Sequence, residues 1–189
     1  NKPSESKERA LSNSILFVAP KTEIGSAASL YLPANGTLLL SGAALPLSAL
    51  AIDANCRPAA LPSGLSFTAT GSGIVAGSVF KAGSSGTAQI SAQAGQIAGT
   101  AQVTVIGSPD RISVFEQDSG AAVTELTVAP GKSMDLGAAA KYKNLTLVAQ
   151  DNCFTWSLDG NAGSISEDGF FTASPQRGRY KQRAAGALG

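Results

Sequence analysis

The chain has 189 residues, a formal net charge of +1 and no histidine, and only 14% of its residues are charged. This length accommodates one large domain or two small ones. The absence of histidine excludes imidazole metal sites, Ser-His-Asp triads and Cys-His pairs. The low charge and the 21 glycines are typical of an all-β chain with many turns.

Basic residues cluster at the two ends of the chain, within residues 2–9 and 177–183. The body between them is acidic on balance, so we predict no basic face for nucleic acid. The most apolar stretch, Leu38–Ile52, is too short to span a bilayer and contains Pro46. We therefore interpret it as two buried strands and predict no membrane span. The polar opening NKPSESKERA predicts no signal peptide.

The first half of the chain predicts a series of short strands. In GLSFTAT, Leu65, Phe67 and Ala69 alternate with polar residues and so share one face. TAQISAQAG and GTAQVTVIG are two more alternating runs, and the second closes near Ile106. Glycine-rich breaks such as TGSG and AGSSG separate the runs at the spacing expected of hairpins.

The second half predicts strands of the same kind. LGAAAKYKNLTLVAQD fits a long strand with a turn, and FTWSL places Phe154, Trp156 and Leu158 on one face. After Ala173 the alternation stops and basic residues appear, so we predict an irregular basic tail over residues 175–189 in place of two closing strands. A shifted reading frame and a natural basic tail are the two hypotheses for this segment.

Similar residue patterns in the two halves indicate an internal repeat. FTATGSGIVAGSVFKA, which starts at Phe67, aligns with FTWSLDGNAGSISEDGFFTA, and the alignment pairs Ile74 with Ile165 and Phe80 with Phe171. An upstream block aligns residues 30–44 with residues 126–140, ending on Ala44 and Ala140. Collinear blocks in one order indicate two copies of one domain.

These patterns predict an all-β fold of two tandem immunoglobulin-like β-sandwiches, because seven short strands in about ninety residues suit that architecture. The first sandwich is expected over residues 24–107 and the second over residues 110–174, with the second truncated at its C-terminus. Trp156 is expected in the core of the second sandwich.

Two acidic turns are the candidates for a metal or catalytic site. LDGNAG and SEDGFF offer the oxygen ligands that Ca²⁺ prefers: Asp159, Asn161, Glu167 and Asp168. Asp-Gly is also an ordinary hairpin turn, and we favour that interpretation. A glycosidase needs two acids facing each other across a cleft, and the sequence places no such pair.

Thiols, tyrosines and sequons are the other candidates. Cys56 and Cys153 are too few for a disulfide framework and occupy non-equivalent positions in the two copies. Cys153 lacks a basic partner, so we interpret it as a half-buried structural thiol rather than a nucleophile. Three scattered tyrosines form no sugar-stacking platform: Tyr31, Tyr142 and Tyr180. Two asparagines begin glycosylation sequons that a bacterial origin leaves idle: Asn35 and Asn144.

The second copy resembles bacterial immunoglobulin-like domains of group 2. The resemblance lies in LTVAPGKSMDL, FTWSL and GSISEDGFFTA, which match the early proline-glycine turn, the Trp-Ser strand and the later hairpin of that family. The first copy lacks the tryptophan, but its residues 86–105 are similar to the segment with which domains of this family end. The resemblance covers about three quarters of the chain and implies a β-sandwich fold.

The opening segment is similar to the closing segment of secreted bacterial phosphodiester glycosidases that act on N-acetylglucosamine phosphodiesters. The matching residues are Asn1, Pro3, Ser4, Glu8, Arg9, Asn13 and Ile15. This resemblance implies that residues 1–20 end an upstream catalytic domain or form a linker, and that the catalytic residues lie upstream of this chain.

Together these observations predict a non-catalytic, extracellular or cell-surface spacer or accessory module of a bacterial phosphodiester glycosidase-like protein. Its expected partners are the upstream catalytic domain and a cell-wall or exopolysaccharide glycan, and we assign no catalytic, cofactor-binding or metal-binding residue. The alternative is an adhesin or surface-array segment that binds a protein or glycan. Exposed aromatic residues in a row on one sheet would favour binding over spacing.

Overall fold

The computed structural model describes residues 25–175 and the backbone of residues 182–185. The described residues form β-strands and one short 3₁₀ turn, Asp151–Cys153, so the all-β prediction is confirmed. The N-terminal half, residues 25–106, contains these strands: β1 Ser29–Tyr31, β2 Leu38–Leu40, β3 Ala44–Pro46, β4 Leu50–Ile52, β5 Ser66–Gly71, β6 Gly73–Ala76, β7 Val79–Ala82, β8 Gly86–Ala94 and β9 Ile97–Ile106.

The C-terminal half begins after Ile106. Its strands are β10 Arg111–Glu116, β11 Ser133–Tyr142, β12 Leu145–Thr146, β13 Thr155–Leu158, β14 Gly163–Ile165, β15 Phe170–Ala173 and β16 Gln182–Ala185. The long strand and turn predicted from LGAAAKYKNLTLVAQD correspond to β11 and β12, which pair antiparallel around Lys143 and Asn144. Both turn residues have positive φ angles.

The N-terminal half consists of two groups of strands around one core. One group is a four-stranded sheet in the order β2-β9-β8-β5, with β2 parallel to β9 and the other pairs antiparallel. The other group comprises the pair β1-β4 and the sheet β3-β7-β6. Strand alternation directs apolar side chains from both groups inward, and Leu39, Phe80, Ile90, Val103 and Val105 are fully buried in a shared cluster.

The C-terminal half has a smaller core. Its sheet runs β10-β11-β15-β14, with β12 added beside β11, while β13 pairs with β16. The buried residues of its cluster are Leu136, Ala162, Phe171 and Ala173. Trp156 and Leu158 of β13 pack against this cluster, whereas Phe154, on the same strand face, is buried in a separate cluster. The predicted apolar face of FTWSL is confirmed, because Thr155 and Ser157 are exposed.

One hairpin recurs in both halves with the same backbone feature. The pairing of β6 with β7 starts at Gly73 opposite Ala82, and the pairing of β14 with β15 starts at Gly163 opposite Ala173. Both glycines have large positive φ angles, 154° and 158°. A Cβ atom at either position would strike a backbone carbonyl oxygen of the partner strand. The two hairpins are therefore structural equivalents that require glycine at the same point.

The structure corrects the register of the repeat in this hairpin. Val75 pairs with Phe80, as Ile165 pairs with Phe171, so Val75 and not Ile74 is the counterpart of Ile165. Ile74 is 65% exposed, whereas Val75 packs against the core. The ungapped sequence alignment was wrong by one residue because the two hairpin connections differ in length, and a slip of one residue moves a side chain to the opposite face.

The upstream block of the alignment is also wrong. Ala44 pairs with Lys81 and Ser133 pairs with Thr172, and Lys81 and Thr172 hold equivalent places in the two hairpins. The counterpart of Ala44 is therefore Ser133 rather than Ala140. The alignment matched leucine, alanine and glycine residues, and these residues fit several registers about equally well.

The tail differs from the irregular segment predicted over residues 175–189. Residues 182–185 form β16, which pairs antiparallel with β13 through Thr155–Ala185 and Leu158–Gln182. Strand β13 has no other partner among the described strands. Its otherwise unpaired backbone N–H and C=O groups therefore favour pairing with a strand that reaches its edge. The remaining tail positions lie outside the described residues, as do the predicted segment 1–20 and Tyr180.

Candidate functional site at the junction of the two halves

The two halves are joined by main-chain hydrogen bonds. The Val148 N–H donates to the Leu38 carbonyl oxygen at 2.9 Å, and the Leu40 N–H donates to the Val148 carbonyl oxygen at 2.9 Å. These bonds form a parallel bridge between Leu39 and Val148. Val148 thus occupies the edge of β2 that β9 leaves free, and the C-terminal half extends a sheet of the N-terminal half.

A glutamine side chain makes the second set of contacts. The Ala44 N–H donates to Gln150 Oε1 at 2.7 Å, and Gln150 Nε2 donates to the Ala44 carbonyl oxygen at 2.8 Å. The side-chain amide thereby pairs with one residue of β3 as a neighbouring strand would. We call residues 148–150 the junction clamp, because its backbone binds the sheet of β2 and its glutamine binds the sheet of β3.

An apolar cluster lies beneath the junction clamp. Its buried members are Leu40 from the N-terminal half and Ala140, Leu147 and Phe154 from the C-terminal half. Partly buried residues from both halves surround them: Leu38, Ile106, Ile112, Ala138, Tyr142, Ala149 and Cys153. We call this cluster the junction core. Because it draws side chains from both halves, separating the halves exposes apolar surface to water.

The connection between the halves is short and held at its C-terminal end. Strand β9 ends at Ile106 and β10 begins at Arg111. In the connection, the Asp110 N–H donates to the Lys141 carbonyl oxygen at 2.8 Å, and Asp110 Oδ2 accepts from the Lys143 N–H at 2.6 Å. These bonds tie the connection to the C-terminal half, beside the junction core.

The acidic candidates lie in two exposed turns. Asp159 and Asn161 are exposed in the connection from β13 to β14, and Glu167 and Asp168 are exposed in the hairpin from β14 to β15. That hairpin is closed by hydrogen bonds between Ser166 and the residues that follow, which supports the turn interpretation. Within the described ranges, no group of three or more histidine, cysteine, aspartate or glutamate residues is placed to hold a metal ion.

The thiols are separate and free. Cys56 is exposed in a turn of the N-terminal half, and Cys153 is half-buried in the junction core. The two described tyrosines also lie apart. Tyr31 is 53% exposed on β1, whereas Tyr142 contributes to the junction core and has the Lys143 ammonium 5.3 Å from its ring centroid.

The sequons have structural environments of their own. Asn35 is fixed by its side-chain oxygen, which accepts from the Gln102 N–H at 2.9 Å. Asn144 occupies the turn between β11 and β12 with a φ angle of 65°. Neither asparagine lies at the junction.

Sequence reasoning did not identify the junction clamp. The alternation in LTLVAQ indicates that Leu147 and Ala149 share a face, which places them in the junction core. It does not show that Val148 bonds to β2 or that Gln150 bonds to β3. Those partners lie more than a hundred residues away along the chain, and Ala44 and Gln150 are 106 positions apart.

Comparison with solved structures finds several similar chains, among them two of the surface layer protein SbsC. The chain is similar to domains 5–6 of the S-layer protein SbsC, at 13% identity and a TM-score of 0.37, over 79% of this chain and 84% of that one. It is similar at the same identity and TM-score to domains 4–9 of the surface layer protein SbsC, of which it covers 27%. No family model and no curated protein matches the chain.

The described residues contain no helix long and apolar enough to cross a membrane.

Proposed function

We propose that this chain is a non-catalytic, extracellular spacer segment of a bacterial surface protein, built from two immunoglobulin-like sandwiches held in a fixed orientation. The observation that carries the proposal is the junction. A backbone bridge, a two-point glutamine contact and a shared apolar core together oppose bending between the halves. A stiff joint of this kind suits a segment that sets a distance rather than one that closes around a ligand.

The strand order supports the immunoglobulin-like part of the proposal. In the N-terminal half, β2-β9-β8-β5 faces a layer of β1, β4, β3, β7 and β6. This is the arrangement of a seven-stranded sandwich when β1 and β2 count as one strand divided between the layers, and β3 and β4 as one interrupted strand. In the C-terminal half, β10-β11-β15-β14 repeats the second layer, and β13 with β16 provides the described part of the first. The proposed boundaries are residues 24–107 and 110–174, the second sandwich being incomplete.

The exposed aromatic residues also support a spacer role rather than glycan binding. Among the described residues, the aromatic side chains that are at least half exposed are Tyr31 on β1 and Phe170 on β15, one in each half. A sugar platform requires aromatic rings in a row on one surface, and these two do not provide it. The proposed link to an upstream phosphodiester glycosidase rests on residues 1–20 alone, and the spacer role does not depend on it.

Residual dipolar couplings of the whole chain test the spacer role. Couplings from β8 and β9 and couplings from β11 and β15 are expected to fit one alignment tensor, because a rigid junction makes both halves tumble together. In the Gln150→Ala variant, we expect the two tensors to diverge. Two independent tensors in the unmodified chain would contradict a rigid spacer, and turnover of an N-acetylglucosamine phosphodiester would contradict a non-catalytic chain.

Assembly into a surface array is the second candidate function. It is favoured by one observation, the uncharged free edge of strand β5 on the flank of the N-terminal half opposite β2.

A further inference from the structure

Strand β5 presents an unprotected sheet edge. It is the terminal strand of the sheet β2-β9-β8-β5 and pairs with β8 alone among the described strands. Its sequence, SFTATG, contains no charged residue and no proline. Sheet proteins usually protect such an edge with lysine, proline or a covering segment, because its unpaired N–H and C=O groups accept another strand.

The neighbouring strand of the other layer is equally unprotected. Strand β6, GIVA, ends the sheet β3-β7-β6, and its Ile74 is 65% exposed. Between Arg57 and Lys81 the chain carries no charge. An open groove of about 720 Å³ lies on the same flank, lined by the apolar residues Leu61, Leu65, Phe67 and Val75 among others. We call this surface, formed by β5, β6 and the groove, the open flank.

Two other sheet edges in the described part of the chain are covered or charged. The edge of β2 is occupied by Val148 of the junction clamp. Strand β10 carries Arg111 and Glu116 at its ends. The clamp also shows that this sheet accepts an added strand at one of its two edges, and β5 is the other edge of the same sheet.

We propose that the open flank binds a second copy of this chain, with β5 of each copy pairing antiparallel across a two-fold axis. In a symmetric antiparallel pairing each residue faces a residue of the same strand in the other copy, and only a residue at the two-fold axis, near Thr68 at the centre of β5, faces its own copy. A charge near that axis would therefore repel its copy. Strand β5 has no charge and exposes Ser66, Thr68 and Thr70 on its outer face. Cross-strand hydroxyl pairs of this kind stabilise antiparallel strands.

The geometry permits this pairing without disturbing the junction. Strands β2 and β5 lie at opposite edges of one sheet, so a copy bound to β5 extends the sheet away from the C-terminal half. The inference is therefore independent of the spacer role. Six residues of strand give a small interface, so we expect weak association with a dissociation constant of about 10⁻⁴ M.

Sedimentation equilibrium of the full chain tests the proposal. Between about 10 µM and about 1 mM, a range that brackets the expected constant, the average mass should rise from that of one 18.9 kDa chain toward twice that value. In the Thr68→Lys variant we expect this rise to be lost. The matched control is Thr100→Lys, since Thr100 is exposed in the same cross-strand row, Thr68–Ser91–Thr100, but on the interior strand β9. The control should associate as the unmodified chain does.

Amide hydrogen exchange gives an independent measurement. At the highest concentration, amides within Ser66–Gly71 should exchange several-fold more slowly than at the lowest, while amides of β11 should not change. Circular dichroism and the melting temperature show whether Thr68→Lys is folded, and Thr70→Lys replaces it if it is not.

Three results would overturn the proposal. The first is a chain that stays monomeric at about 1 mM, ten times the expected constant. The second is equal loss of association in the Thr68→Lys and Thr100→Lys variants, which would assign the contact to the sheet face. The third is a monomeric chain whose β5 amides are protected by an added threonine-valine peptide, which would assign the edge to a foreign strand.

Discussion

Replacing Leu40 by alanine tests whether the junction core couples the two halves. Leu40 is 6% exposed and packs in the junction core, whereas its neighbour Leu39 is 0% exposed and packs in the core of the N-terminal half. Consecutive strand residues point to opposite faces, so the two substitutions remove the same atoms from different cores. A buried Leu→Ala change lowers the free energy of unfolding by about 2–5 kcal/mol. With a urea slope of about 2 kcal/mol/M, a loss of about 3 kcal/mol lowers the midpoint by about 1.5 M.

Two probes of urea unfolding distinguish the variants. The fluorescence of Trp156, the single tryptophan of the chain, reports on the C-terminal half, and far-ultraviolet circular dichroism reports on both halves. We expect coincident transitions for the unmodified chain and for Leu39→Ala. For Leu40→Ala we expect the Trp156 transition to occur first, because the C-terminal half loses its support. If Leu40→Ala leaves the Trp156 midpoint unchanged, the junction core does not stabilise the C-terminal half. If both probes shift together, the halves still unfold as one unit and their coupling does not depend on Leu40.

Three further predictions concern the hairpins, the thiols and the acidic turns. Gly73→Ala and Gly163→Ala should each lower the free energy of unfolding by more than about 2 kcal/mol, since the new Cβ meets a partner-strand carbonyl. Gly77→Ala, in open space at a φ of 62°, should cost only about 1 kcal/mol, and a cost at Gly73 or Gly163 no greater than at Gly77 would contradict the carbonyl clash. A thiol reagent should modify exposed Cys56 about tenfold faster than half-buried Cys153, as single cysteine-to-serine variants would show; equal rates would place Cys153 at the surface. Excess Ca²⁺ should change the melting temperature by less than about 1 °C, and a larger rise would reveal a bound ion.

Local patterns predicted the strands but not all of their registers. The alternation in TAQISAQAG and GTAQVTVIG corresponds to β8 and β9, whose alternate residues are buried. Alternation has a period of two residues, so it defines faces without saying which residue opposes which. Ile74 and Val75 are both apolar and adjacent, and only the pairing of Val75 with Phe80 shows which of them enters the core. This register depends on the difference in length between the two hairpin connections, and the alternation within each strand does not reveal that difference.

The contacts at the junction could not be predicted from the sequence for a different reason. A strand or a turn is encoded by neighbours along the chain, whereas the junction clamp depends on Leu38, Leu40 and Ala44 from one half meeting Val148 and Gln150 from the other. Each of these residues is ordinary in its own segment. A glutamine at the end of a strand indicates solvent exposure as readily as a two-point contact. The acidic turns gave the opposite result, because Asp-Gly has a local meaning and its turn interpretation agrees with the structure.

The unequal cores of the two halves suggest that the junction supports the C-terminal half. Its own cluster contains four buried residues, two of them alanines, and the Trp156 indole N–H is buried there with no hydrogen-bond partner among the described residues. An unsatisfied buried donor costs about 1–3 kcal/mol, and a small core supplies little to offset this. The N-terminal half, in contrast, closes two layers of strands around Phe80 and Ile90.

We therefore expect residues 25–107 to fold alone and residues 107–189 to remain unfolded alone. The N-terminal fragment keeps every buried residue of its core and loses the cover of Leu40 and of the β2 edge, with the packing of Val148 and Cys153. The C-terminal fragment loses the partner of Phe154 and of its clamp. Proton-nitrogen correlation spectra of the two fragments measure this directly through amide dispersion. A well-dispersed spectrum from residues 107–189 alone would show that the junction sets orientation without contributing needed stability.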